Sequence, residues 1–149
     1  TYVLGDGGVG QYRNLGSTVT TGLDASLKWQ VASWLELKPS YTYMNAKDQD
    51  TDLWLAAKPE HKLSLDAMVR PAKDWVVGLL YTYESQRYTR SDNTQYADPY
   101  HKLDLRCEYR YGPYRYFVTV ENLLDANYDY GDGLPAPPRV WLVGITREF

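Results

Sequence analysis

From Ser17 onward the chain alternates apolar and polar residues with a period of two, the pattern of β-strands that bury one face. In Ser17–Val31, Val19, Thr21, Leu23, Ala25, Leu27, Trp29 and Val31 share a face, opposite Thr18, Thr20, Gly22, Asp24, Ser26, Lys28 and Gln30. Trp34–Ala46 sets Leu35, Leu37, Pro39, Tyr41 and Tyr43 against Glu36, Lys38, Ser40 and Thr42. Pro39 cannot donate to a ladder, which predicts a bulge or local break at that residue. The alternation continues through Glu60–Arg70, Trp75–Glu84, Tyr100–Tyr111, Tyr114–Glu121 and Arg139–Phe149. Seven strands are thus predicted, with an incomplete eighth over Val9–Arg13. No segment holds a helical period, so the expected fold class is all-β, antiparallel and up-and-down.

The connections alternate as well. Ala32-Ser33, Pro71–Asp74 and Gly112-Pro113 are tight, whereas Lys47–Pro59, Gln86–Pro99 and Leu123–Pro138 are long. Short turns at one rim and long loops at the other are the plan of a transmembrane β-barrel. Strands of about 11–15 residues exceed the ~5–6 usual in soluble sheets and suffice to cross a hydrocarbon layer when tilted. On the apolar face, Trp29, Trp34, Trp75, Tyr109, Tyr111, Tyr114 and Phe149 lie by the short turns. Tyr41, Tyr43, Tyr81 and Tyr83 lie toward the long loops, with Leu23, Ala25, Leu27, Leu65, Leu79, Leu105 and Val118 between the two sets. Two aromatic girdles around an aliphatic band place this face against lipid. The other face carries both signs of charge, as in Lys102, Asp104, Arg106, Glu108 and Arg110, and reads as a ladder of ion pairs on a wet lumen that can hold an internal plug.

Composition sharpens the picture at one point. Fifteen Tyr and five Trp stand against two Phe, so amphipathic rings outnumber purely apolar ones. The 149 residues begin at Thr1, which reads as a processed or excised piece. No run of about eighteen apolar residues marks a transmembrane helix. A net charge of −3 gives no footprint for nucleic acid, and the lone Cys107 excludes an internal disulfide.

Asn122-Leu123-Leu124-Asp125-x-x-Tyr128, followed by Pro138-Arg139 and the terminal Phe149, resembles the carboxy-terminal signature of TonB-dependent outer-membrane receptors. Asn14-x-Gly16 with Gly22-x-Asp24, Tyr41-x-Tyr43 and Pro59-x-His61 are similar to strand-entry and strand-exit patterns of that family. Leu124, Asp24 and Pro138 depart from its commoner aromatic, glutamate and glycine. The resemblance implies a barrel of about 22 strands closed by an amino-terminal plug. Residues 1–149 would form the carboxy-terminal portion, about eight strands or the last third, without the plug. It further implies energised uptake of a scarce, bulky nutrient, iron–siderophore or cobalamin-like, across the outer membrane of a Gram-negative bacterium. The implied partners are membrane lipid, the rest of the barrel and its plug, the TonB complex through the amino-terminal part, and the barrel-assembly machinery through the strand ending at Phe149. Two other readings stay open: a stand-alone eight-stranded outer-membrane barrel with a structural or adhesive role, and a soluble β-domain with an apolar ligand cavity.

Local constellations add little chemistry. Asp48-x-Asp50-x-Asp52 has the alternating carboxylates of a calcium loop, but Leu53 and Pro59 replace the glycine and glutamate that an EF-hand requires. His61 and His101 echo each other within Pro59-Glu60-His61-Lys62-Leu63 and Pro99-Tyr100-His101-Lys102-Leu103. One strand apart from adjacency, they sit ~10 Å from each other, too far to share an ion held at ~2 Å, and read as interface histidines. Gly131-Asp132-Gly133 is a loop tip without a following helix. No nucleophile, base and orienter come together, so neither an enzyme nor a cofactor is expected. Ligand contacts are assigned instead to loop residues Trp54, Arg87, Tyr88, Arg90, Tyr96 and Tyr130.

Overall fold

The computed structural model describes residues 2–4, 10–12, 16–131 and 134–148. Their strands are β1 (Tyr2–Leu4), β2 (Gly10–Tyr12), β3 (Thr18–Ser26), β4 (Trp29–Ala32), β5 (Leu35–Asp48), β6 (His61–Val69) and β7 (Trp75–Glu84). There follow β8 (Arg87–Tyr88), β9 (Tyr96–Ala97), β10 (Tyr100–Tyr111), β11 (Tyr114–Glu121), β12 (Asp129–Gly131), β13 (Leu134–Pro135) and β14 (Val140–Arg147). One eight-stranded antiparallel sheet runs β14-β11-β10-β7-β6-β5-β3, with β4 also paired to β5. No ladder joins β14 to β3 or β4 among the described residues, so the sheet is open, with those strands as its edges.

The period-two pattern and the ladders agree in register. One row across the sheet runs Trp141, Val120, Leu105, Leu79, Ala67, Leu37 and Trp29. The neighbouring row on the other face runs Leu142, Thr119, Arg106, Gly78, Met68 and Glu36. A one-residue slip would exchange the two faces throughout, so the lipid-type face and the charged face fix each other. The sheet is a single layer, and large apolar residues of its first face stay uncovered: Val143 is 71% exposed and Leu23 59%. Such a face is stable only against another apolar medium. The lower girdle forms as expected, with the Trp75 and Tyr109 rings 4.7 Å apart and Tyr109 6.5 Å from Tyr116. Arg147, the one cation on this face near the short turns, lies over the Tyr114 ring.

Three expectations are corrected. The stretch Ser17–Val31 is two strands rather than one, interrupted at Leu27-Lys28, while β5 runs unbroken through Pro39. The reason lies in strand geometry. Pro39 accepts a hydrogen bond from Leu27 N at 3.1 Å, so its missing N–H points toward that same neighbour, and the ladder fails there. The proline sits in one strand and the break in its partner. The incomplete eighth strand also differs from expectation: β2 pairs only with β1 and does not join the large sheet. Arg13, Asn14, the loop tip at Asp132-Gly133 and Phe149 lie outside the described residues.

Candidate functional site: the charged wall and the loops above it

On the polar face the charges pair along and across strands. Glu36, largely buried, holds Lys28 at 3.4 Å and Lys38 at 3.2 Å, and Lys38 reaches Asp66 at 3.7 Å. Lys62 meets Glu84 at 2.9 Å, Lys102 meets Asp104 at 3.0 Å, Arg106 holds Glu108, and Arg110 reaches Glu148 at 3.7 Å. Most of these groups are half exposed, where a pair contributes ~0–1 kcal/mol, so the ladder sets a polar surface more than it holds the fold. The expected run Lys102 to Arg110 is thus present as pairs. Three exposed apolar residues depart from simple alternation on this charged face: Val140 and Leu142 on the edge strand β14, and Leu80 apart from them on β7, paired with Asp104 and Asp66.

The third long loop leaves β11 through Asn122, which is buried and adopts a left-handed conformation at φ 53°. Asparagine tolerates that region because its short amide can bond locally. Its Oδ1 accepts from Ala126 N at 2.9 Å, and its Nδ2 donates to Ala126 O at 2.9 Å and Pro137 O at 3.3 Å. The Asn122 N–H donates to Asp104 Oδ1 at 2.8 Å, and Leu123 N donates to Leu103 O at 2.7 Å. Asp125, also left-handed, accepts from Arg139 N at 2.9 Å. Of the signature residues, Asn122, Asp125 and Arg139 therefore form one clasp that brings the two ends of the loop together, while Leu123 ties its start to β10.

Tyr128, the next signature residue, ties that loop to the second. Its ring stacks on Tyr100 with centroids 4.0 Å apart, and Tyr130 meets it edge-on at 5.5 Å. Burial, ahead of the neighbouring Tyr130 hydroxyl, holds the Tyr128 hydroxyl above the ordinary phenol pKa. Beside the stack, Arg87 is 6% exposed; it donates to Glu84 Oε2 at 3.2 Å and to the Asp129 carbonyl, and lies over the Tyr100 ring. The second loop is tied to the first in turn. Asn93 accepts from Trp54 N at 2.8 Å and donates to Trp54 O at 2.9 Å, and Ala57 N donates to Tyr88 O at 2.8 Å. The short pairings β8–β9 and β12–β13 stiffen loops that the sequence reads as irregular. Strands of two or three residues are too short to show a period of two in the sequence.

The loop residues expected at a ligand site thus divide by position. Tyr96 on β9 and Tyr130, which packs edge-on against Tyr128, are both more than half exposed at the loop surface. Tyr88 is half-buried on β8, and Arg90 is exposed with its carbonyl accepting from Asn93 N. Trp54 and Arg87 are engaged in holding loops together. Lys47 lies 5.3 Å from the Trp54 ring centre. Two of the three aspartates are engaged within their own loop: Asp48 Oδ1 accepts from Asp50 N and Thr51 N, and Asp52 pairs with Lys47 at 3.1 Å. Asp48 thus caps its own turn, and among the described residues no three acidic, His or Cys side chains gather as a metal-holding group.

Comparison with known proteins follows the geometry. Residues 1–123 match the sequence family described as TonB dependent receptor-like, beta-barrel. No curated protein matches. Among solved structures, the siderophore receptor PiuA of Acinetobacter baumannii superposes with a TM-score of 0.79 at 16% identity, covering 97% of this chain and 23% of PiuA. The closed form of Fiu, the ferric-catecholate import receptor of E. coli K12, gives 0.78 at 24% identity over 99% of this chain and 23% of Fiu. The ferripyoverdine receptor of Pseudomonas aeruginosa, bound to ferripyoverdine, gives 0.73 at 18% identity over 86% of this chain and 19% of the receptor. The chain therefore spans less than a quarter of the length of these structures. The matched family and these neighbours are receptors, not enzymes.

Proposed function

Because this chain belongs to the TonB-dependent receptor-like β-barrel family, we propose that it supplies wall strands and three outer loops of an outer-membrane receptor. That receptor takes up a bulky, scarce nutrient by an energised route, an iron chelate of the siderophore type before cobalamin. The observation that carries this is the pairing of the two faces with the two rims. An uncovered apolar face between aromatic girdles fits lipid, an ion-paired face fits a wet interior, and long loops bound to one another roof one rim. The iron preference rests on the ligands named for the similar structures, PiuA, Fiu and the ferripyoverdine receptor.

The open edges at β14 and β3–β4 support a place within a larger barrel, since unpaired edges in a membrane leave backbone groups unsatisfied. The clasp at Asn122 to Arg139 supports a carboxy-terminal position in that barrel. The exposed apolar pair Val140 and Leu142 on the lumen side of β14 suits an internal plug domain, which would cover it. The location is the outer membrane of a Gram-negative bacterium, and the energising partner is the TonB complex. Uptake of radiolabelled iron on catecholate and hydroxamate chelates, by cells dependent on this receptor, tests the reading. Uptake of at least one chelate should vanish when the receptor or the energising complex is removed. Equal uptake with and without the receptor, on every chelate and on cobalamin, would contradict it.

A further inference from the structure

The upper girdle is built from a unit that occurs twice. Tyr41, Tyr43 and His61 recur as Tyr81, Tyr83 and His101, each offset by 40 residues (41 to 81, 43 to 83, 61 to 101). In the first unit, Tyr43 lies directly across the ladder from His61 with ring centres 5.4 Å apart, and the Tyr41 hydroxyl is 2.8 Å from His61 Nδ1. In the second, Tyr83 lies across from His101 at 4.8 Å, and the Tyr81 hydroxyl is 2.6 Å from His101 Nδ1. Each imidazole is therefore held by one phenol from below and a second ring beside it. No described residue bonds the other ring nitrogen, Nε2, of either histidine.

The height of these units is set by the strands. From Tyr109 of the lower girdle to His101 is eight residues of β10, ~26 Å along the strand and ~20 Å along the membrane normal at a tilt of about 40°. Leu103, Leu105 and Cys107 fill the interval. Both histidines thus lie at the level of lipid headgroups on the long-loop side, on the face turned to lipid. When the phenol donates to Nδ1, the ring proton resides on Nε2, which is then left as a single N–H donor. An N–H at this level needs an acceptor, and the densest acceptors at a bilayer surface are phosphate oxygens.

We propose that the two Tyr–His units form a paired binding site for phosphate-bearing lipid headgroups on the outer wall, with His61 and His101 as donors. Tyr41 and Tyr81 are positioning residues that fix the tautomer. The inference rests on the membrane reading above, and its test separates the two. The receptor, labelled with 15N-histidine, is placed in nanodiscs of phosphatidylcholine alone or with added phosphatidic acid, whose phosphomonoester is the probe. Native mass spectrometry counts retained phosphatidic acid, and nitrogen NMR reads the imidazoles.

Phosphatidic acid should be retained preferentially and should move the Nε2 signals while Nδ1 stays an unprotonated acceptor. Replacing both histidines, His61→Phe and His101→Phe, should weaken retention about tenfold per lost donor. Tyr41→Phe with Tyr81→Phe should leave the rings in place but mix the tautomers in the nitrogen spectrum. Equal retention of both lipids by the parent protein, or Nε2 signals unmoved by phosphatidic acid, overturns the proposal even if the variants misfold. An equal shift from inorganic phosphate in phosphatidylcholine discs also overturns it, because the site would then be solvent-facing. Failure of the parent protein to enter any nanodisc would instead sink the membrane reading itself.

Discussion

Asn122 offers the sharpest quantitative expectation. Replacing it with alanine removes three side-chain hydrogen bonds, two to Ala126 and one to Pro137. At ~1 kcal/mol net for each bond, the loss is about 3 kcal/mol. Alanine also dislikes the left-handed backbone at φ 53°, which adds ~1 kcal/mol. The variant Asn122→Ala should therefore lose about 4 kcal/mol locally. Glycine accepts that backbone freely, so Asn122→Gly should lose only the ~3 kcal/mol hydrogen-bond part. Hydrogen exchange read by mass spectrometry on protein in detergent gives the local opening energy for residues 123–138. Both variants should exchange much faster there, with glycine the milder, while β6 and β7 keep the parent rate. Parent-like protection of the loop in Asn122→Ala would show that the clasp does not hold it.

Other expectations follow from neighbouring contacts. Arg87→Met removes a buried guanidinium but leaves Glu84 paired with Lys62, so the loss should be about 2–3 kcal/mol, below that of an abandoned buried charge. Protease nicking should rise in the third loop and not in the first. A Cβ at Gly144 would collide with the Phe117 ring directly across the ladder, so Gly144→Ala should destabilise by ~1–3 kcal/mol. The same change made in Phe117→Ala should cost far less; strict additivity in that double-mutant cycle would refute the contact. In a Cys107→Ser background, cysteine at Ser91 in the second loop should react with a membrane-impermeant maleimide on intact cells. Cysteine at Lys73, in a short turn, should react only after the outer membrane is opened.

The large features of the fold were legible because a period of two is unambiguous over strands this long, and one ladder fixes the next. β7, β10 and β11 match their sequence limits for that reason. What escaped was set by partners, not by local pattern. The break at Leu27-Lys28 depends on which side of β5 the Pro39 nitrogen faces, and no single-strand reading contains that. At the loops, the signature residues were visible as a motif, but their role as a clasp depends on Asn122 meeting Ala126 and Pro137 in space. A loop arginine usually faces solvent, whereas Glu84 and the Tyr100 ring draw Arg87 inward, and those partners meet it only in the folded chain. At Asp48-x-Asp50-x-Asp52 one carboxylate caps the turn and another takes Lys47, partners that spacing alone does not name.

The central claim is that Val77, Leu79 and Tyr81 face lipid while Val76, Gly78 and Leu80 face the lumen. Single spin labels at each of these positions on β7, in the Cys107→Ser protein reconstituted into bilayers, test it directly. Accessibility to oxygen, which partitions into lipid, should peak at 77, 79 and 81. Accessibility to a water-soluble nickel complex should peak at 76, 78 and 80. The opposite phase, or no alternation at all, would contradict the account.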